Sequence, residues 1–411
     1  MGNSDNPFEF HESDLYFACV GDNGGTDNFD IREGFKSSVN ILIEAVENGA
    51  YEDTMIYPVV YNIRHSIELS MKIIIEYLLH IYNFRKVSFG EEDKKKIYTH
   101  DIETLDTIIQ KYYSFDRRIK EKYDMVHPYL KDYYFDKKGD VFKYESDHNG
   151  NPHLIKLGIS SISYDVLKRK YNEMMDLFDN LIFEVMYLCK EYSMGTFTKH
   201  LSREDIKDIA KMLPLRKNWC EEEFSTTKAT IKQKYSIGSK EFSEALNIIQ
   251  KHCEFCTYIG MEIKIGDIEE NEIREYAKLV MEMNGEDLYN NEIGSRSSDM
   301  SGICLGEIQK KARRRRDLSE GISDNTLGFL MMFREYGRTP ELFVERRERV
   351  LEVSGLQNYH RQDVLKKIEK RDAFRKILLG MKRCGQTSYC QILKGEFSNS
   401  SEESKWSNFL I

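Results

Sequence analysis

Apolar residues return at helical spacing along most of the chain, and the clearest case is "YNIRHSIELSMKIIIEYLLH", Tyr61 to His80. Ile63, Ile67, Met71, Ile74 and Leu78 fall on one stripe that must pack against something. Arg64, Glu68 and Lys72 follow one another at four-residue intervals, so they form a charged ridge on the same helix, with His65 beside it. Residues 28 to 48 read as an amphipathic helix ending at Gly49, and Pro58 suits the first turn of the helix that carries Arg64. A polar loop with a lysine run follows, "NFRKVSFGEEDKKKIY". A further helix then opens with Thr99 as N-cap and Glu103 in its first turn.

Between Asp132 and Ser161 the helical period stops. Gly139 and Gly150 sit among Asn and Asp, and Tyr, Phe and Val alternate between them, which predicts a short β-hairpin or an ordered loop. A long helix resumes at Ser163 and closes near Gly195. Beyond it, Ser202 with Asp205 forms a near capping box and Pro214 marks the helix exit. The stretch from Ile237 to Gly260 is another amphipathic helix, capped by Ser239. Residues 266 to 300 give an acidic helix and then "NNEIGSRSSDMSG", a hinge or exposed loop. "TPELFVERRERVLEVSG" is predicted as one helix with Thr339 at the N-cap, Pro340 at N1 and Gly355 at C′. The tail, "FSNSSEESKWSNFLI", reads as loosely held apart from an apolar end suited to docking.

The expectation is therefore an all-α protein with a small β-hairpin insertion. At 411 residues the chain exceeds one ordinary core, and the pattern divides it into 1–195, a helical module at 200–270 and a basic helical module at 271–411. Charged residues make up 31% and hydrophobic ones 40%, with only 6 prolines, as in a globular helical protein. No stretch approaches the roughly 20 apolar residues that span a bilayer. The start "MGNSDNPFEFHESD" has no secretory h-region and matches a myristoylation signal only weakly. A cytoplasmic protein with no membrane partner is expected. The 8 cysteines are scattered, and "HCEFC", His252 to Cys256, lacks the second ligand pair of a zinc site. Neither metal nor cofactor is expected.

Charge is unevenly spread. Residues 1–60 hold 12 acids against Arg32 and Lys36, whereas residues 305–383 hold 20 basic and 12 acidic residues. Arg313, Arg314, Arg315 and Arg316 are consecutive, so on a helix they point around the axis, and Arg346 and Arg347 add to the basic region. These six are the candidate nucleic-acid contacts, against the plainer reading of a solvated basic surface. Walker A, dinucleotide-type GxGxxG, HExxH and GxSxG motifs are all absent, which argues against nucleotide hydrolysis, dinucleotide cofactors and serine hydrolysis.

Taken together, "RHSIELSMKIII", a polar loop and "THDIETL" resemble the HEPN superfamily of helical bundles. In that family an E-x-x-x-K helix precedes one that opens with His-Asp-Leu. The matching positions are Glu68, Lys72, His100 and Asp101, with Ile102 in place of leucine. "VFKYESDHNGN" and the long helix after it resemble a prokaryotic subgroup with an Arg-His-x-x-Glu-Leu start. The resemblance covers roughly residues 30 to 190. It implies a bundle that pairs as a homodimer, and for many members metal-independent RNA cleavage in toxin–antitoxin or antiviral systems. Those members use an Arg-x(4–6)-His motif, which none of the ten histidines here completes. Lys122 and Lys143 stand five residues before His127 and His148, but lysine lacks the guanidinium fork.

A substitute site would bring Arg64, His65 and His100 together, arginine binding phosphate while the histidines exchange protons. Against it stands the plainer view that His100 packs the helix junction, Asp101 bonds backbone amides, and Glu68 with Lys72 is an ion pair. Two functions are thus expected from the sequence. One is an RNA-acting effector, a divergent ribonuclease of a defence or toxin system. The other is a non-catalytic module binding nucleic acid, a nucleotide or a partner protein.

Overall fold

The computed structural model describes residue 8 and residues 15–24, 27–284, 305–355 and 358–398. The loop expected at 290–302, Cys304, the first seven residues and the tail beyond Ser398 lie outside these residues. The fold is all-α, with seventeen α-helices and no strand among the described residues. The chain forms two compact units, Met1–Gly195 and Thr196–Ile411.

The first unit contains α1 (Asn28–Glu47), α2 (Glu52–Phe84), α3 (Glu91–Lys96), α4 (Ile102–Tyr112), α5 (Arg117–Leu130), α6 (His153–Leu157) and α7 (Tyr164–Tyr192). Helix α2 is the central rod, packed by α1, α4 and α7. Its stripe of Ile63, Ile67, Met71, Ile74 and Leu78 is fully buried. Ser66, Ser70 and the ridge residues Arg64 and Glu68 are buried as well, so this helix is covered on nearly every side along its middle. Arg32 of α1 is fully buried beside it; its Nε donates to Ser70 Oγ at 2.7 Å and its Nη2 lies 2.6 Å from Asp179 Oδ1 of α7. One guanidinium thus ties three helices.

Several expected boundaries move. Pro58 stands inside α2, not in its first turn, on an exposed position where its missing N–H forfeits one intrahelical bond. The lysine run forms the short helix α3 rather than a loop. Thr99 is not the cap of α4: Asp101 is, its Oδ1 accepting from the Glu103 amide, while Thr99 Oγ1 accepts from the Asp101 amide. The break at 132–161 is an ordered loop, not a hairpin ladder, with one antiparallel bridge between Ser146 and Pro152 and then the single short helix α6.

The second unit comprises α8 (Arg203–Met212), α9 (Glu222–Lys234), α10 (Ser239–Lys251), α11 (Glu270–Asn284), α12 (Leu305–Leu318), α13 (Asp324–Arg338), α14 (Arg347–Ser354), α15 (Arg361–Ile368), α16 (Arg371–Arg383) and α17 (Thr387–Ser398). The Ser202–Asp205 capping box is present at α8. Gly238, not Ser239, precedes α10 as its cap. Thr339 closes α13 instead of opening a helix, and α14 begins only at Arg347, so the single helix expected at 339–355 is split. One apolar cluster joins α8, α9 and α10, and a larger one joins α11 with α13, α15, α16 and α17.

Helices α13 and α16 approach until their backbones touch. A Cβ on Gly337 would stand 1.8 Å from the Lys376 carbonyl oxygen, and one on Gly380 would stand 1.7 Å from that of Phe333. Both glycines are there for close approach, since no other residue fits. No described helix is long and apolar enough to cross a membrane. Gly380→Ala is expected to force the two helices apart and lower unfolding stability by about 3 kcal/mol or more, whereas the same change at the open, exposed Gly34 of α1 stabilises slightly. Urea unfolding of the two variants beside the parent checks this.

Candidate functional site

The charged ridge of α2 meets the start of α4 and the loop after α5. Arg64 is 4% exposed and Glu68 1%. Arg64 Nη1 donates to Glu68 Oε2 at 2.9 Å, and its Nη2 donates to the backbone carbonyls of His100 and, at 3.0 Å, of Asp136. Its Nε lies 3.0 Å from Asp136 Oδ2, near enough for charge attraction but not aligned as a hydrogen bond. Gly139, with φ +72°, passes so close that a Cβ there would meet Arg64 Nη1 at 2.8 Å. The guanidinium is enclosed by protein acceptors, and no face of it is offered to a phosphate.

Glu68 is the hub. Its Oε1 accepts from Lys72 Nζ at 2.7 Å and lies 2.9 Å from His100 Nδ1. Burial alone would raise its carboxyl, but the hydrogen bond and charge of Lys72, joined by Arg64 and His100, hold it below the ordinary glutamate value. His100 keeps 64% of its side chain exposed, so a buried carboxylate orients an imidazole that reaches outward. Asp101 is consumed in capping α4, its Oδ2 also accepting from Thr104 Oγ1 at 2.8 Å.

His65 does not join this group. Its ring stacks on Tyr61 at 6.1 Å and meets the Phe35 ring edge-on at 4.3 Å. Burial, against the opposing pull of Glu68, lowers its pKa, so neutral imidazole is favoured. The trio expected from the sequence therefore separates: Arg64 is a structural post, His65 a half-buried ring packed on aromatics, and His100 the one of the three whose ring is mostly exposed.

The basic candidates also separate. Arg315 is buried, forking onto Glu369, and Arg314 pairs with Glu282. Arg313 and Arg316 on α12 and Arg346 before α14 are exposed and have no carboxylate partner among the described residues. Arg347 is half-buried.

Sequence reasoning missed the buried polar centres. Asp106 of α4 accepts from Tyr123 Oη and Tyr134 Oη at 2.5 and 2.6 Å and lies 3.1 Å from His127 Nδ1. In the second unit Glu345 gathers His252, Arg203 and Thr196, and the first two overcome burial to hold its carboxyl far below the ordinary range. The sequence signal for Asp106 was an acid at an otherwise apolar helical position; Glu345, followed by two arginines, carried none. No group of three metal-ligating side chains occurs among the described residues. Cys253 lies buried, its thiol pushed up to about 11 chiefly by burial.

Replacing Arg64 with methionine would leave Asp136 as a buried carboxylate without its cation and take one of two cations from Glu68, at an expected loss of about 3–5 kcal/mol in urea unfolding. The depressed Glu68 carboxyl binds its proton less tightly when folded than when unfolded. Its contribution is therefore whole above pH about 4.5, the ordinary value, and fades as pH falls through the lower folded value. Glu68→Gln is expected to be less stable at neutral pH and to lose less further stability on acidification, as read from unfolding free energies between pH 7 and pH 3.

Compared with known proteins, the chain matches no family model, no curated protein and no solved structure.

Proposed function

We propose that the protein is a HEPN-like, RNA-binding effector of the prokaryotic defence or toxin type that holds RNA without cutting it through Arg64, His65 and His100. The observation that carries this reading is the contrast in how its arginines are used. Arg64, beside the histidines, is spent on protein acceptors, whereas Arg313, Arg316 and Arg346 of the second unit are exposed and without carboxylate partners among the described residues. Exposed arginines supply the phosphate contacts that dominate nucleic-acid affinity. The likeness of "RHSIELSMKIII" and "THDIETL" to HEPN helices supplies the RNA context. A homodimer formed through the first unit fits the same reading, since α1 and α7 expose Ile31, Ile41 and Phe183.

A second reading is favoured by one observation, the exposed His100 ring oriented by buried Glu68. A carboxylate that fixes an imidazole makes it a competent proton acceptor. Metal-independent cleavage would then run through His100, with Lys72, which shares Glu68 Oε1 with the ring, as the accompanying cation, though Lys72 is already paired with Glu68.

Incubating purified protein with a labelled mixed RNA pool in EDTA separates the two. The expected result is salt-dependent binding of intact RNA, weakened at least tenfold when Arg313 and Arg316 are both changed to Glu. Cuts that persist in His65→Ala and vanish in His100→Ala would replace this reading by the second. Absence of binding at low salt would overturn the RNA-binding reading.

A further inference from the structure

In the second unit a cavity of about 600 Å³ opens between α13, α14 and the segment leading to α15. Its volume suits a small organic ligand rather than a polymer strand. Five cations line it: Arg334 and Arg338 from α13, Arg346, Arg349 from α14, and Lys367 from α15. Glu335 is the one acid on its wall. That carboxylate is shared by Arg334 and Arg338, each 2.9 Å away, so it neutralises less than the charge it faces.

Three features give the cavity a direction. Arg346 has no carboxylate partner among the described residues, and Lys367 has only the Tyr359 ring, 3.9 Å from its ammonium. Arg334 Nε is shut off from solvent without an acceptor, so this guanidinium is not fully satisfied by the protein. Beside the charge, Leu342, Val350 and Val353 add apolar lining, Val350 and Val353 each one turn beyond Arg346 and Arg349. Tyr359, 40% exposed, stands among them with a polar tip. Cations in forked geometry recognise phosphate oxygens, and an apolar wall with an aromatic ring accepts a flat heterocycle.

We infer that this cavity binds a nucleoside polyphosphate, with its phosphates on Arg334, Arg338 and Arg346 and its base against the Val350–Val353 wall. The site lies within the second unit and goes beyond the RNA-binding reading, from which it differs in residues and ligand size. Binding is held to need both halves of the ligand, since neither the arginines nor the apolar wall fills the cavity alone.

Equilibrium titration of the full chain with ATP, GTP and UTP tests this, with inorganic phosphate, adenosine and a 5′-triphosphorylated RNA oligonucleotide as further arms. At least one free triphosphate is expected to bind, at least tenfold more tightly than inorganic phosphate or adenosine. Arg346→Glu and Arg338→Glu, both exposed positions tolerant of charge, are expected to weaken it at least tenfold. Arg313→Glu plus Arg316→Glu, the RNA-binding control, is expected to leave it unchanged. Tighter binding of the triphosphorylated RNA end than of any free nucleotide would reassign the cavity to RNA termini and overturn the free-nucleotide assignment. No triphosphate binding at millimolar concentration, or equal binding by the parent and by folded Arg346→Glu, would overturn the proposal outright. Triphosphate binding with no RNA binding would sink the RNA reading and leave this one standing.

Discussion

The first unit is organised around the need to neutralise one buried charge, the Arg64 guanidinium. An arginine never sheds its proton in a protein, so burying it commits the surroundings to supply acceptors. Glu68 comes from the next turn of α2, Asp136 from the loop after α5 and the His100 carbonyl from the start of α4. Meeting that demand docks two other parts of the chain on the central helix. It also fixes Gly139, because only a residue without Cβ passes so close to the guanidinium. The loop at 132–161 stays ordered without strands because such polar anchors do the work a ladder would otherwise do.

The same constraint bears on function. A phosphate-binding arginine must keep its fork open to the ligand, and a general base must reach the proton it takes. Here the arginine is enclosed and His65 is clamped between aromatic rings, so the chemistry-bearing residue types in the opening helix largely serve structure. His100 is the exception, because α4 begins where the ring can lean on Glu68 and still face outward. In the second unit the economy is reversed. Arg315 is buried on Glu369, yet several neighbours in sequence or space keep their charge exposed.

Much of the helix plan was legible in the sequence because it is written in local rules. The α2 stripe, the limits of α1 and α7, and the capping box at α8 all depend on residues within a turn of one another. Where two local rules competed, sequence reading chose the wrong residue. Thr99 and Asp101 both suit a cap, and the aspartate prevails because it can also accept from Thr104. Thr339–Pro340 looks like a helix start, yet Thr339 ends α13, whose packing against α16 carries it that far. The fate of Arg64 was not legible, since its decisive partners stand 36 and 72 residues away. The cavity beside α13 was hidden for the same reason: its arginines are spread over several elements and meet only in the folded unit.

The claim that Arg64 is a structural post is tested most directly by a double-mutant cycle of Arg64→Met and Glu68→Leu, followed by urea unfolding. If the pair is a buried, mutually dependent charge couple, each single change is severely destabilising. The double variant then recovers a coupling energy of about 2 kcal/mol or more. Additive losses, or an Arg64→Met variant as stable as the parent, would contradict the claim and return Arg64 to the list of groups free to meet a phosphate.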